Sequence, residues 1–242
     1  MPTERPELQD GHAPSHASAL SAFRAGDLAA AARHCDAILE YFPDDADTLH
    51  LRALIHIGLR ESRLAEERAL RAVELAPGRP EFHQTLGHAF RLQDRLDDAA
   101  HCYLTALRLD ADHFESLMGL GTVHALRLRF TEARDCFGRA VEVRPGNAVA
   151  HFNLGRAYED ADELEDAAKC YRHALSIDPA LAPAWLNLGG VSAQLGDFPD
   201  AKNSFRQALA LRPRYAAAHN NLGTVLQAEG DLASAVTSFN SA

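Results

Sequence analysis

The stretch APAWLNLGGVSAQLGDFPDAKNSFRQALALRP, residues 182–213, divides into two amphipathic segments that meet at Gly196. Small and apolar residues recur three and four positions apart in both segments, for example at Ala201 and Phe205 in the second. This spacing is typical of one buried face on each of two α-helices. Gly196 suits a turn with positive φ, and Pro213 cannot continue a helix. The stretch therefore predicts a helical hairpin.

The same pattern recurs with a period of 34 residues. Five prolines mark the period, and only Ala111 interrupts their series: Pro43, Pro77, Pro145, Pro179 and Pro213. A fixed period of this length indicates a repeat architecture. Counting back from the prolines divides the chain into a disordered segment 1–11, a degenerate first repeat 12–45, full repeats 46–79, 80–113, 114–147, 148–181 and 182–215, and a truncated repeat 216–242.

Three positions of the 34-residue unit have restricted residue types. Position 8 is Ala19, Ala53, Gly87, Gly121, Gly155, Gly189 and Gly223. Position 20 is Ala31, Ala65, Ala99, Ala133, Ala167, Ala201 and Ala235. Position 24 carries a ring in the last five repeats, namely Tyr103, Phe137, Tyr171, Phe205 and Phe239. Small residues at positions 8 and 20 let two helix backbones approach closely, and the ring fills the space beside them.

The turn between the two helices requires a residue that tolerates positive φ. Glycine supplies it in three repeats, and aspartate is acceptable in two more. These residues are Gly26, Gly196, Gly230, Asp94 and Asp162. Arg60 and Leu128 fit this requirement less well, and the sequence does not show how their turns close.

The pattern resembles that of the tetratricopeptide repeat family. Residues 182–213 match the family pattern best, through Trp185, Leu188, Gly189, Ala201, Phe205, Ala208 and Pro213. The resemblance covers residues 12–242 and implies an all-α, right-handed α-solenoid of about seven repeats, the last truncated. It also implies a protein that binds other proteins, since most arrays of this kind do so.

Composition and charge exclude several classes of function. The formal net charge of −10, from 34 acidic and 24 basic residues, argues against a nucleic-acid or membrane partner. No run of about 18 apolar residues is present, and the N-terminus lacks the basic and apolar regions of a secretory signal. We therefore expect a cytoplasmic protein.

The cysteines and histidines are interpreted as structural residues. Cys102, Cys136 and Cys170 are 34 residues apart, so adjacent helices would hold them too far apart for disulfides or one metal site. Histidines at position 4, where the family often has tryptophan, are expected to pack; they are His83, His151 and His219. No motif for a nucleophile, a phosphate or zinc occurs. We expect no enzymatic activity within these residues, no cofactor and no metal.

The candidate binding residues lie on the first helix of each repeat. In the family, positions 2, 5, 6, 9, 12 and 13 line the concave surface and contact ligands. Position 6 is Asn153, Asn187 and Asn221 in three consecutive repeats. An amide donates and accepts hydrogen bonds, so such a row suits the main chain of an extended peptide. It resembles the asparagine ladder of O-linked N-acetylglucosamine transferase. Asparagine is also the commonest residue at this position across the family, so the row has a second, non-functional explanation.

Further residues complete the candidate site. Position 5 supplies an apolar row that ends in an amide, namely Met118, Phe152, Leu186 and Asn220. Arg91 and Arg156 are the strong cations of the predicted groove. The basic cluster with which related repeats hold acidic chaperone tails is absent. Upstream, position 6 departs from asparagine at Leu51, Thr85 and Gly119, so the site is expected within residues 148–242.

Three functions are consistent with the sequence. The first is a scaffold that binds an extended protein segment in the concave groove. The second is the substrate-recognition arm of a larger enzyme, similar to O-linked N-acetylglucosamine transferase, with a catalytic domain beyond residue 242. The third is an assembly scaffold. Ala242 is position 27 of its unit, so we expect self-association through an uncapped apolar edge formed by Leu222, Leu226, Val236 and Phe239.

Overall fold

The computed structural model describes residues 15–242, and the segment predicted at 1–11 lies outside this range. Over the described residues the chain forms fourteen α-helices and no strand. The helices belong to two compact units. The first unit ends at Val123, and the second begins at His124.

Each repeat contributes a first helix and a second helix. The helices of the first unit are α1 (His16–Arg24), α2 (Leu28–Tyr41), α3 (Ala46–Gly58), α4 (Ser62–Leu75), α5 (Pro80–Arg91) and α6 (Leu96–Leu109). The unit boundary falls within α7 (Phe114–Leu126). The helices of the second unit are α8 (Phe130–Val143), α9 (Ala148–Asp160), α10 (Leu164–Ile177), α11 (Ala182–Gln194), α12 (Phe198–Leu211), α13 (Ala216–Ala228) and α14 (Leu232–Asn240).

The helices pack in the order of the chain. Within a repeat the first helix packs on the second, as α5 does on α6 and α11 on α12. Second helices also pack on the first helix of the next repeat, as α4 does on α5 in the first unit and α12 on α13 in the second. First helices also contact each other, α3 with α5 in the first unit and α11 with α13 in the second. This is the predicted all-α solenoid of helix-turn-helix repeats.

The glycine at position 8 packs directly against the ring at position 24 of the same repeat. A Cβ atom on Gly189 would lie 2.6 Å from the Phe205 ring, and one on Gly87 would lie 2.9 Å from Tyr103. Contacts under 3 Å are far inside the van der Waals distance of two carbons. The ring is therefore compatible only with a residue that has no side chain.

The first two repeats satisfy the same constraint differently. Their position 24 carries no ring but Cys35 or Ala69, and their position 8 is Ala19 or Ala53. All four side chains are completely buried. Alanine paired with a small residue and glycine paired with a ring both allow the two helices of a repeat to pack closely.

The turns that lack glycine adopt the same conformation as those that have it. Arg60 and Leu128 have φ of 62° and 58°. A Schellman arrangement closes each turn, because the Glu61 N–H donates to the His56 carbonyl at 2.9 Å and the Arg129 N–H donates to the His124 carbonyl at 2.9 Å. The hydrogen bonds of the helix end therefore impose the left-handed conformation, at a cost of about 1–2 kcal/mol for a non-glycine residue.

The second helix ends at the same register with or without proline. Helix α6 ends at Leu109, although Ala111 replaces the proline of this series. Here the Asp110 carboxylate accepts a hydrogen bond from the Asp112 N–H at 3.1 Å, an Asx turn. The expectation that proline ends the helix is therefore incomplete, because α6 ends at the same position without one.

The histidines at position 4 form a recurrent hydrogen bond. The Nε2 atoms of His83, His151 and His219 lie 2.8–2.9 Å from the carbonyl oxygen of the proline six residues earlier. Trp185 donates from Nε1 to the Pro179 carbonyl at 2.9 Å in the same way. Histidine thus reproduces the hydrogen bond of tryptophan, which fixes the loop between two repeats to the following first helix.

The edge predicted to be apolar is only partly so. Leu222 and Leu226 are 7% and 6% exposed, because they pack against Phe205 and Ala235, so their predicted exposure was wrong. Val236 and Phe239 on α14 are 57% and 39% exposed. Self-association through this surface stays a prediction.

Replacing Gly189 with alanine should destabilise the second unit, because the new methyl group overlaps the Phe205 ring. We expect a loss of about 1–3 kcal/mol in unfolding free energy, measured by urea denaturation. Gly190 is the matched control, since a Cβ there meets nothing within 4 Å. Gly190→Ala should be neutral or stabilising by up to about 1 kcal/mol through helix propensity. Equal effects of the two substitutions would contradict the proposed contact.

Replacing His219 with phenylalanine should lower stability by about 0.5–1.5 kcal/mol, because the hydrogen bond to the Pro213 carbonyl is lost while an aromatic ring remains. His219→Trp should retain stability, since Trp185 forms the equivalent bond. Thermal denaturation of the two variants measures the difference. The hydrogen bond is unimportant if phenylalanine and tryptophan behave alike.

Candidate functional site

The first helices of the second unit carry the three asparagines predicted to bind a ligand. Asn153, Asn187 and Asn221 occupy the same register on α9, α11 and α13. Asn153 and Asn187 are half-buried, and Asn221 is exposed. The surface that these three residues form is here called the asparagine face.

The three amides differ in their partners. The Asn187 Nδ2 donates to the Tyr171 hydroxyl oxygen at 3.2 Å, and that hydroxyl donates in turn to the Glu159 carboxylate. Among the described residues, Asn153 and Asn221 have no side-chain hydrogen bond. Asn187 is therefore held in one orientation with its carbonyl oxygen free, whereas the other two amides have all their donors and acceptors available.

The Glu159 carboxyl beside Asn187 has a shifted pKa. Partial burial raises the pKa of Glu159, and the hydrogen bond from Tyr171 opposes that rise. Burial and the nearby carboxylate also raise the pKa of the Tyr171 hydroxyl, which keeps it protonated as a donor. The pair fixes Asn187 from behind the asparagine face.

The apolar residues of position 5 serve the core as well as the surface. Phe152 is half-buried with its ring centroid 5.8 Å from that of Tyr171. Leu186 is half-buried and packs against the core around Phe205 and Leu222. Asn220 is exposed. Only part of each apolar side chain is therefore available to a ligand.

A small cavity opens on the asparagine face between α11 and α13. Its volume is about 230 Å³. It is lined by Gly190, Ala193, Gln194, Phe205, Asn221, Thr224 and Val225. Four of these residues occupy the ligand-facing positions 6, 9 and 12 of their repeats, so the cavity belongs to the surface that the sequence singled out.

Charged groups are sparse on this surface. Arg156 on α9 is exposed, and its positive charge opposes the raised pKa of Glu159. Asp160 follows at the end of the same helix. Helices α11 and α13 carry no Lys, Arg, Asp or Glu between their first and last residues.

The remaining candidate residues, Arg91 and Met118, belong to the first unit. Arg91 is half-buried on α5, near the Tyr103 hydroxyl. Burial raises the pKa of that hydroxyl, and the positive charge of Arg91 opposes the rise. Met118 is half-buried on α7. They lie outside the unit that carries the asparagine face.

The same unit explains why the asparagine row stops. Position 6 of α7 is Gly119, where a Cβ would lie 2.5 Å from the ring of Tyr103. In the two preceding repeats Thr85 and Leu51 are buried, at 0% and 3% exposure. The Tyr103 ring excludes a side chain at Gly119, and the side chains of Thr85 and Leu51 are buried, so none of these positions presents an amide to solvent.

Sequence reasoning missed Glu159 and Tyr171, but a signal for them exists. Where position 24 is tyrosine, position 12 is charged: Arg91 accompanies Tyr103, and Glu159 accompanies Tyr171. Where position 24 is phenylalanine, position 12 is alanine or glutamine. Comparing these two positions across repeats would have identified the hydroxyl partner.

The cysteines are free thiols. Burial raises the pKa of Cys35 and Cys102 to about 12 and that of Cys136 and Cys170 to about 11. Thiols with such values are almost entirely protonated at neutral pH and are poor nucleophiles. Within residues 15–242, no group of three or more His, Cys, Asp or Glu side chains is arranged to hold a metal ion.

Family models match most of the sequence. One model described as Tetratricopeptide repeat matches residues 112–180, and a second with the same description matches 16–80, 85–135 and 184–242. No protein with a curated description matches the chain. None of the described helices has the length and apolar character needed to cross a membrane.

Solved structures share the fold at low sequence identity. The structure of pilF from Pseudomonas aeruginosa has a TM-score of 0.75 and 18% sequence identity to this chain. The match covers 87% of this chain and 94% of pilF. YrrB, described as a TPR protein with an unusual peptide-binding site, has a TM-score of 0.64 and 21% identity, covering 82% and 99%. MamA has a TM-score of 0.62 and 23% identity, covering 64% and 91%. At these identities the similarity concerns the fold alone.

Replacing Glu159 with glutamine should change how stability depends on pH. Because the folded-state pKa of Glu159 is raised above its ordinary value of 4.5, its contribution to stability is complete below that pH. That contribution is lost as the pH rises through the raised pKa. The unfolding free energy of the unmodified protein should therefore fall, relative to Glu159→Gln, as the pH rises from about 4 to 7.

Urea denaturation at several pH values measures this difference. The control is Glu165→Gln, which replaces an exposed glutamate on α10. A constant difference between the protein and Glu159→Gln across the pH range would show that this carboxyl does not titrate as described.

Proposed function

Because the chain belongs to the tetratricopeptide repeat family, we propose that it is a non-catalytic scaffold that binds an extended segment of another protein along the asparagine face. The observation that carries the proposal is the set of amides at one register of α9, α11 and α13. Two of them are unpartnered, and Asn187 is held in place by Tyr171.

The spacing of the amides suits an extended main chain. Packed helices lie about 8–10 Å apart, and an extended chain rises about 3.3 Å per residue. Asn187 and Asn221, on the contacting helices α11 and α13, would therefore meet the bound segment about three residues apart. Each amide supplies both donors and an acceptor, so it can bind a peptide unit whatever side chain that unit carries.

The charge of the surface supports recognition of the main chain over recognition of charge. Helices α11 and α13 present asparagine, glutamine, threonine and small residues on this face. Arg156 is an exposed cation beside the asparagine face. Glu159 is half-buried and accepts a hydrogen bond from the Tyr171 hydroxyl. A segment that is neutral near Asn187 and Asn221 is the best match, since a charged side chain would find no partner there.

The class of function also fits a structural neighbour. YrrB shares the fold and is described as having a peptide-binding site. The enzyme-arm alternative, assembly through α14 and a cytoplasmic location remain predictions. We infer that Arg91 and Met118 play no part in the core of the site, because the ladder positions beside them are occupied by Gly119 and the buried Thr85.

Replacing the three asparagines with alanine should abolish or strongly weaken peptide binding. The probe is a set of peptides selected from a displayed random library on the unmodified protein, with affinities measured by fluorescence polarisation. Each lost hydrogen bond is worth about 0.5–1.5 kcal/mol, so the triple variant should bind at least about tenfold more weakly.

A matched triple variant controls for the loss of surface amides. Asn203, Gln207 and Asn240 are exposed on the second helices α12 and α14. Their replacement with alanine should leave affinity unchanged. Equal affinities for the two triple variants would exclude the asparagine face as the binding surface.

A further inference from the structure

The cavity between α11 and α13 has an apolar floor and an uncharged rim. The floor includes Phe205 and Val225, which are 1% and 4% exposed, together with Ala193. The rim includes Asn221, Gln194 and Thr224. None of the seven lining residues is ionisable, so a charged group entering the cavity would lose water without gaining a partner.

The cavity exists because position 9 of α11 is glycine. A Cβ on Gly190 would meet nothing within 4 Å, which means that this side of the helix faces open space. The corresponding residue is Leu54, His88, Arg156 or Thr224 in other repeats, and any of these would partly fill the volume. Gly190 is therefore unlike Gly189, whose missing side chain is required by the Phe205 ring.

The size of the cavity limits its occupant. A volume of about 230 Å³ is below the roughly 300–1,000 Å³ of sites for drug-sized ligands. It is several times the ~30 Å³ that a water molecule occupies in the liquid. One aliphatic or aromatic side chain fits this range, with its main chain left at the rim beside Asn221.

We propose that this cavity is a specificity pocket for one uncharged apolar side chain, of the size of leucine to phenylalanine, on an extended segment bound between Asn187 and Asn221. The inference rests on the proposed function and adds side-chain preference to it. The amides bind the main chain without regard to sequence, whereas the pocket selects the side chain of one residue. Burial of such a side chain should raise affinity about ten- to a hundredfold over alanine at that residue.

The test uses small probes that contain one peptide unit on each side of a side chain. N-acetyl-leucine N′-methylamide is titrated into the ¹⁵N-labelled protein, and the Gly190 backbone amide and Asn221 side-chain amide are followed by NMR. We expect saturable shifts at millimolar concentration. The N-acetyl-glycine and N-acetyl-glutamate N′-methylamides should produce much smaller shifts, because they lack an apolar side chain or carry a charge.

Two leucine substitutions separate pocket filling from general effects. Gly190→Leu fills the cavity, and Leu54 shows that the fold accepts leucine at this position. Gly138→Leu is the control, since a Cβ on Gly138 also meets nothing within 4 Å and Leu70 and Leu104 occupy its position elsewhere. Shifts with the leucine probe should disappear in Gly190→Leu and persist in Gly138→Leu.

The outcomes distinguish this inference from the proposed function. Absence of shifts with the leucine probe, or unchanged shifts in Gly190→Leu, would overturn the pocket. The library-selected peptides then report separately: if they bind the protein but not the triple asparagine variant, the asparagine face stands without the pocket. If they show an apolar residue whose replacement by alanine weakens binding only when Gly190 is intact, the pocket is supported.

Discussion

The contact between position 8 and position 24 is the constraint on which the rest of the fold depends. A ring at position 24 leaves no room for a side chain at position 8, as the distances from Gly87 to Tyr103 and from Gly189 to Phe205 show. Where the ring is absent, alanine fills the smaller gap. Both solutions allow the two helices of a repeat to pack closely.

The same ring determines the chemistry of the outer face. In one repeat the Tyr171 hydroxyl reaches the following first helix and binds Asn187. In another the Tyr103 ring approaches so closely that only Gly119 fits. Phenylalanine at Phe205 has no hydroxyl to offer, and a cavity adjoins its ring. The ring at position 24 thus affects position 6 of the next repeat: Tyr171 orients an asparagine, Tyr103 leaves room only for glycine, and Phe205 forms no hydrogen bond there.

The helix pairs were predictable because small residues, rings and prolines recur at fixed spacing, and steric exclusion allows few alternatives at those positions. The conformation of Arg60 and Leu128 was not predictable, because it depends on the backbone hydrogen bonds at the helix end and not on the side chain. The cavity was also beyond sequence reasoning. The repeat pattern placed Gly189 beside the position 24 ring, but only the structure shows that its neighbour Gly190 faces open space.

The sequence predicted the row of asparagines but not the difference between them, because that difference arises from Tyr171 and Glu159 of the repeat before Asn187. Long-range pairings of this kind follow from three-dimensional contact and not from spacing along one helix. Comparison of positions 12 and 24 across repeats comes closest to revealing them, since each repeat is an independent solution to the same packing problem.

The turn residue at position 15 has a practical consequence. Glycine, aspartate, arginine and leucine all occupy it with nearly the same backbone angles, from 58° to 85° in φ. Leu128 is 73% exposed there, and a Cβ on Gly26, Gly196 or Gly230 meets no atom within 4 Å. A fluorophore or tether is therefore best attached at the turns that already hold a side chain, such as Leu128, because substitution of a turn glycine would add the cost of a left-handed non-glycine residue.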